Sequence, residues 1–290
     1  MSTRSIRLQS GDAANAANND DRWPASQGSP PFREQEPSRA VGRITYSQTR
    51  VVTIAPEVLE RRRIAAVADD SNADVFRLLR TQLLLEMRQN GWKTLAVTSP
   101  KKGAGKSTVC LNLAISFAME FDCTALLVDA DLREPDVRSM LDLPPGPGLA
   151  DYLLGNAALE DLFVHPGIGN LVILPGSEAA ANSAELLRSP MMTNLIQELR
   201  QRYADRLVLF DVPPILSGAD TLALSTYIDA VVLLIEDGKT SKEDIERACN
   251  LLRHANLIGI LLNKSRELPE SGPIKRRKPG FFRRLFYADD

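Results

Sequence analysis

The stretch TLAVTSPKKGAGKST, residues 94–108, decides the fold. Thr94–Thr98 is a short β-rich apolar run, and Lys106–Phe121 behind it carries apolar side chains at helical spacing. A polar, glycine-bearing turn joins them. Strand, glycine-rich turn, Gly-Lys-Ser and helix, in that order, form the setting of a phosphate-binding loop. Gly103 and Gly105 let successive backbone N–H groups curl round an anion, and the helix N-terminus adds partial positive charge. Within the cradle Gly103, Ala104, Gly105, Lys106, Ser107 and Thr108, Lys106 is expected to reach the outer phosphates of a nucleotide and the Ser107 hydroxyl to ligate Mg²⁺. The pattern GxxxxGK[ST] fails at one position, where Pro100 replaces the first glycine. A polar turn that merely contains Gly-Lys-Ser is the alternative, and the flanking strand and helix argue against it.

Outward from this stretch the alternation continues. Further β-rich runs lie at Thr124–Val128, Leu171–Leu174, Leu207–Phe210, Ala230–Ile235 and Leu257–Leu262. Helical spacing occupies Ala73–Gln89, Ala184–Tyr203 and Ser241–Ala255. Continuous apolar strands separated by helices are what a parallel sheet covered on both faces requires, so the expected fold is a doubly wound α/β domain over residues 73–266. Residues 1–42 are polar, with few large apolar side chains, and read as a disordered arm. Residues 43–72 read as a linker with an extended piece at Ile44–Ile54 and a short helix at Pro56–Arg63, and 267–290 as a basic-aromatic tail.

Three acids fall at strand ends beside the loop. Thr124–Val128 runs into Asp129-Ala130-Asp131, and Leu207–Phe210 into Asp211-Val212-Pro213-Pro214. Ligands of open α/β sheets bind outside the carboxyl ends of the strands. Magnesium takes hard oxygen ligands and keeps several waters, so Ser107, Asp129, Asp131 and Asp211 form the candidate metal set. One such acid alone is more often a cap or a solvated turn residue.

Composition narrows the class without naming the chemistry. The 290 residues are 44% hydrophobic and 25% charged, with a net charge of −2. That balance speaks against a nucleic-acid coat. Cys110, Cys123 and Cys249 are odd in number and widely spaced, which fits buried thiols rather than disulfides or a zinc site. The N-terminus lacks the apolar core of a signal peptide, and no apolar run reaches membrane-spanning length, so a cytoplasmic protein is expected.

VTSPKKGAGKST at 97–108, LLVDADLREP at 126–135, LVLFDVPP at 207–214 and the helix DVFRLLRT at 74–81 together resemble the bacterial tyrosine kinases of capsule and exopolysaccharide synthesis, a branch of the deviant Walker P-loop ATPases. The likeness covers residues 73–265 in the same order and spacing. It implies an ATP- and Mg²⁺-dependent protein-tyrosine kinase in which Asp129 is base or metal ligand, with Asp131 and Asp211 as partners round the metal. It implies that Lys101 stands at the signature-lysine position, with a solvated lysine pair as the other reading. It places Asn263 where related ATPases contact adenine, a strand-end cap being the alternative. Asp74, Arg77 and Arg80 fall on the self-association motif ExxRxxR, with Asp for Glu, and otherwise form a charged solvent face. NSAELL at 182–187 matches a family stretch, with Ser183 where proline is usual.

The family's tail carries a cluster of acceptor tyrosines, whereas here Tyr287 stands alone, as an acceptor or as an unmodified surface aromatic. Residues 271–290 hold six basic against two acidic side chains among Phe281, Phe282, Leu285 and Phe286. Such a segment suits an anionic membrane face or a separate membrane-embedded chain-length regulator, and equally suits solvated disorder. A homo-oligomer held peripherally at the inner membrane face is therefore expected. A positioning ATPase and a kinase-like ATP sensor without phosphotransfer are the competing functions.

Overall fold

Thr94–Thr98 forms strand β2, with every residue buried. The computed structural model describes residues 49–68, 71–201, 206–265 and the backbone of 285–288. The polar arm at 1–42 and the basic part of the tail at 267–284 lie outside these residues. The other strands are β1 (Arg50–Val51), β3 (Thr124–Asp129), β4 (Val164–His165), β5 (Leu171–Leu174), β6 (Arg206–Asp211), β7 (Ala230–Glu236), β8 (Leu257–Asn263) and β9 (Leu285–Ala288). Their order in the single sheet is β1-β4-β5-β3-β6-β2-β7-β8-β9. From β5 to β9 all neighbours are parallel, and the β4–β5 pair is antiparallel.

Helices cover both faces. They are α1 (Pro56–Arg61), α2 (Ser71–Asn90), α3 (Lys106–Ala118), α4 (Val137–Met140), α5 (Leu149–Leu153), α6 (Ser183–Leu187), α7 (Pro190–Gln201), α8 (Asp220–Ser225) and α9 (Lys242–Leu251). The period-2 alternation of the strands sorts their side chains between two cores. Leu95, Val97, Leu127 and Leu209 face the core under α2 and α3, while Ala96, Leu126, Val128 and Phe210 face the one under α5 to α9. Helix α3 is buried from Val109 to Ala118, because α2 lies over it through Phe76, Leu79 and Leu83. Ile54, Ile64 and Ala66, in the stretch expected to act as a linker, are buried in this same core, and β1 joins the sheet beside β4. Asn112 fastens that stretch by accepting from the Ala66 amide at 2.9 Å and donating to the Arg63 carbonyl at 3.1 Å.

The helix expected over 184–203 is two helices. Pro190 begins α7 after a break at Arg188 and Ser189. Proline lacks an N–H and its ring clashes with the preceding turn, so it starts a helix rather than continuing one. The short strand β4, the edge strand β9 and the one-turn helices α4, α5 and α8 carry too few residues for a periodic signal.

Candidate functional site

The loop after β2 turns through Gly103 and Gly105, whose φ angles of +87° and +88° are readily adopted only by glycine. At 105 a β-carbon would also meet Asn263 Nδ2 at 2.5 Å. The end of β8 holds this loop in place. Asn263 Nδ2 donates to the Ala104 carbonyl at 2.8 Å, and Lys264 Nζ to the Gly103 carbonyl at 2.9 Å. Asn263 thus braces the loop with its amide and also lines a cleft of about 550 Å³ on the β8 side. Ile64, Phe76, Thr108 and Val109 contribute to that cleft.

The carboxylates occupy the other side of the loop. Asp129 and Asp211 are register partners at the ends of the paired strands β3 and β6, and both are fully buried. Asp129 Oδ2 accepts from the Val137 amide at 3.0 Å, while Oδ1 is buried without a partner. Neither Asp211 oxygen receives a hydrogen bond of ordinary geometry. Burial and the neighbouring Asp211 charge push the Asp129 carboxyl well above the usual range. Burial pushes Asp211 up to about 6, against the pull of Lys106 and of the nearby Ser107 hydroxyl. Asp131 is raised by burial and held back by Lys106, whose Nζ stands 3.7 Å from Asp131 Oδ2. Buried Cys110 lies in the same field, and burial with the Asp211 and Asp129 charges raises its thiol well above the ordinary value. It is an inert thiol.

Two buried carboxylates with three oxygens left without a partner are costly unless a cation joins them. The donor set is all hard oxygen and therefore fits Mg²⁺, with Asp211, Asp129, Asp131 and Ser107 as the residues that would hold it. Among the described residues no three His, Cys, Asp or Glu side chains converge as a ready-made metal cage. An ion that keeps several waters and takes phosphate oxygens needs none.

Other expected residues are engaged differently. Lys101 Nζ lies 2.6 Å from Oδ2 of Asp244, on the first turn of α9 in the same chain, and Lys102 pairs with Glu134. Asp74 and Arg77 pair at 2.7 Å on the outer face of α2. Arg80 turns inward, donating to the Ser116 carbonyl at 3.0 Å and pairing with Glu120 at 2.8 Å. Tyr287 is described by its backbone alone, in register with Leu262 of β8.

The sequence reading missed a brace beneath the loop that follows β3. Asp220, fully buried at the start of α8, receives a hydrogen bond from Ser183 Oγ at 2.7 Å and pairs with Arg133 Nε at 2.7 Å. Arg133 Nε also donates to Ser183 Oγ at 3.1 Å. Asp220 lies in an ordinary Ser-Gly-Ala-Asp turn, which carries no sequence signal.

A doubly wound, mostly parallel sheet with a glycine-rich loop leading into Lys106 at the start of α3 and under-satisfied buried carboxylates on adjoining strands defines a P-loop nucleotide-binding domain. The comparisons agree. A family profile described as ParA, NUBPL iron-transfer P-loop NTPase, matches residues 92–272. Tyrosine-protein kinase YwqD of Bacillus subtilis is 35% identical over 208 residues, covering 71% of this chain and 86% of that one. Tyrosine-protein kinase CpsD of Streptococcus agalactiae is 30% identical, covering 67% and 84%. The solved kinase domain of the Escherichia coli tyrosine kinase ETK superposes with a TM-score of 0.66 at 25% identity, over 82% of this chain and 93% of that one. The chain belongs to the ParA-type P-loop NTPases and, within them, to the bacterial tyrosine-kinase family.

Proposed function

We propose that this chain transfers the γ-phosphoryl group of ATP to protein tyrosines, its own among them, and thereby regulates capsule or exopolysaccharide polymerisation and export. The observation that carries this reading is the pair of fully buried, under-satisfied carboxylates Asp129 and Asp211, facing one another across β3 and β6 beside Lys106. Bound Mg-ATP supplies the phosphoryl group and neutralises charge on its oxygens. Backbone amides at Gly103–Thr108 cradle the phosphates, and Lys106 offsets the charge that develops on the transferring group. The Ile64–Phe76 side of the cleft takes the nucleoside end, with Asn263 at its rim. A tyrosine hydroxyl titrates near about 10, so Asp129 takes its proton as the new O–P bond forms. ADP departs with the electron pair of the old bond.

Self-association through the Asp74–Arg77 face and a membrane-embedded chain-length regulator as a separate chain belong to the same proposal. So does peripheral attachment at the inner membrane face through the tail, with no nucleic-acid partner. No helix among the described residues is long and apolar enough to cross a membrane, which is consistent with a partner supplying the span.

The test is Asp129→Asn incubated with Mg-ATP and read by phosphotyrosine mass spectrometry, with nucleotide binding measured in parallel. Loss of phosphotyrosine by about 100-fold or more, with binding retained, is expected. Undiminished transfer removes Asp129 from the mechanism.

A further inference from the structure

Five cations round the site are paired with carboxylates, and two arginines close to it are not. Lys101, Lys102, Lys106, Arg133 and Lys264 each have a carboxylate oxygen within 4 Å. Arg50 on β1 and Arg138 on α4 have none among the described residues. They nevertheless converge: a β-carbon placed on Gly146 would lie 3.8 Å from Arg138 Nη1 and 3.9 Å from Arg50 Nη1. One small group therefore touches both guanidiniums. Arg138 is held by carbonyls alone, donating from Nη1 to Pro144 at 2.6 Å and from Nη2 to Pro147 at 2.8 Å. Each Nη keeps a second hydrogen, and Nε is uncommitted. Asp151 also bears on Arg138, but its Oδ2 is engaged by the Ser177 hydroxyl at 2.6 Å and the Gly148 amide at 2.8 Å. Burial weakens the hold of Arg138 on its proton, and the like charge of Arg50 beside it adds to this against the opposing pull of Asp151 and Asp129.

This pair shares a wall with the catalytic carboxylate. The amide that binds Asp129 Oδ2 belongs to Val137, the residue before Arg138. Two to three extended residues span about 7–10 Å, so acids at that remove from an acceptor tyrosine would meet the pair. The sequence offers such a segment: Tyr287-Ala288-Asp289-Asp290 has acids two and three residues after the single tail tyrosine. In its own chain Tyr287 sits in β9, five strands along the sheet from β3. At about 4.8 Å per strand this separation is about 24 Å, too far for Asp129 of the same chain while β9 is docked.

We propose that Arg50 and Arg138 form a subsite for acidic residues following the acceptor tyrosine, and that its occupant is the Tyr287–Asp290 segment of a second copy of this chain. The subsite rests on the kinase reading above for its place in catalysis, but not for its ligand chemistry. Planar guanidiniums suit carboxylates, and the interaction is salt-sensitive at this exposure.

The experiment uses the full chain loaded with Mg-ADP and a labelled amidated peptide of residues 281–290, compared with its Asp289→Asn/Asp290→Asn and Asp289→Lys/Asp290→Lys forms. At low salt the acidic peptide should bind about tenfold tighter than the asparagine form. Arg50→Glu should erase that preference and favour the lysine peptide, a reversal that a structural defect cannot produce. Arg50 has no partner to orphan, so this variant is expected to fold, and a thermal melt checks it. Equal binding of the acidic and asparagine peptides by the unaltered chain, or an unchanged ratio in Arg50→Glu, overturns the subsite. With Mg-ATP, discrimination without transfer keeps the subsite and removes the kinase reading, while equal transfer to both peptides does the reverse. Finally, the Tyr287→Phe chain should phosphorylate Tyr287 of an Asp129→Asn chain, and do so less when the latter carries Asp289→Asn/Asp290→Asn. Phosphate only on other tyrosines overturns the tail as occupant.

Discussion

Replacing Asp211 by asparagine should stabilise the metal-free protein while removing its response to Mg-nucleotide. Asp211 is fully buried, and its carboxyl is raised from 3.8 to about 6. Between those values the folded state holds a proton that the unfolded state has released, so stability falls as pH rises through the window. The penalty is complete above about 6 and amounts to about 3 kcal/mol at pH 7.5. Burying the new amide takes back about 1 kcal/mol, leaving a gain of about 2 kcal/mol. For a domain of this size the gain corresponds to a rise in Tm of about 4–8 °C. At pH 4.5 the wild-type carboxyl is protonated when folded, and the penalty that the substitution relieves shrinks to about 1 kcal/mol. The assay is thermal unfolding in EDTA at both pH values, repeated with Mg-ADP. A variant no more stable than wild type at pH 7.5, or equally stabilised at both pH values, would refute the account of Asp211 as an uncompensated buried charge. A variant that still gains stability from Mg²⁺ beyond ADP alone would remove Asp211 from the metal set.

Gly148→Ala should destabilise the protein by about 2 kcal/mol or more in denaturant titration, since its β-carbon would meet the Gly176 carbonyl carbon and oxygen at 2.5 Å and backbone cannot yield cheaply. Arg80→Ala should cost about 1–2 kcal/mol by the same measurement, because it leaves the Ser116 carbonyl and Glu120 without their partner. Arg77→Ala, which removes a half-exposed pair with Asp74 and a longer bond to the Ala68 carbonyl, should cost less stability than Arg80→Ala, and light scattering on it, with a thermal melt alongside, tests self-association apart from folding.

Much of the fold was legible because its elements are long and repetitive. Strands β2 and β5 occur with the expected limits, β3, β7 and β8 run one residue further at the carboxyl end, and β6 runs one residue further at each end. Helix α2 extends two residues before and one after its expected span, and α3 ends three residues early, as helix ends commonly fray. The loop at Gly103–Thr108 was legible because its geometry is written in neighbouring residues. Arg50 and Arg138 were not, being 88 positions apart and brought together by a parallel β1–β4 edge with no periodic signature. Nor could spacing reveal that Lys101 is tied to Asp244, or that Arg80 points inward while Arg77 does not.

The sequence alone determined the phosphate loop, the strand-end position of Asp129, Asp131 and Asp211, and the layered parallel sheet. Each is a local pattern, set by glycine's backbone freedom, by alternation along a strand and by helical spacing. Only the tertiary structure decided which charges are compensated. It paired Asp129 with Asp211 across two strands, closed Lys101 and Arg133 onto acids of α9 and α8, and left Arg50 and Arg138 with no carboxylate among the described residues. The physical reason is that electrostatic compensation depends on distance and burial, and neither is a function of separation along the chain.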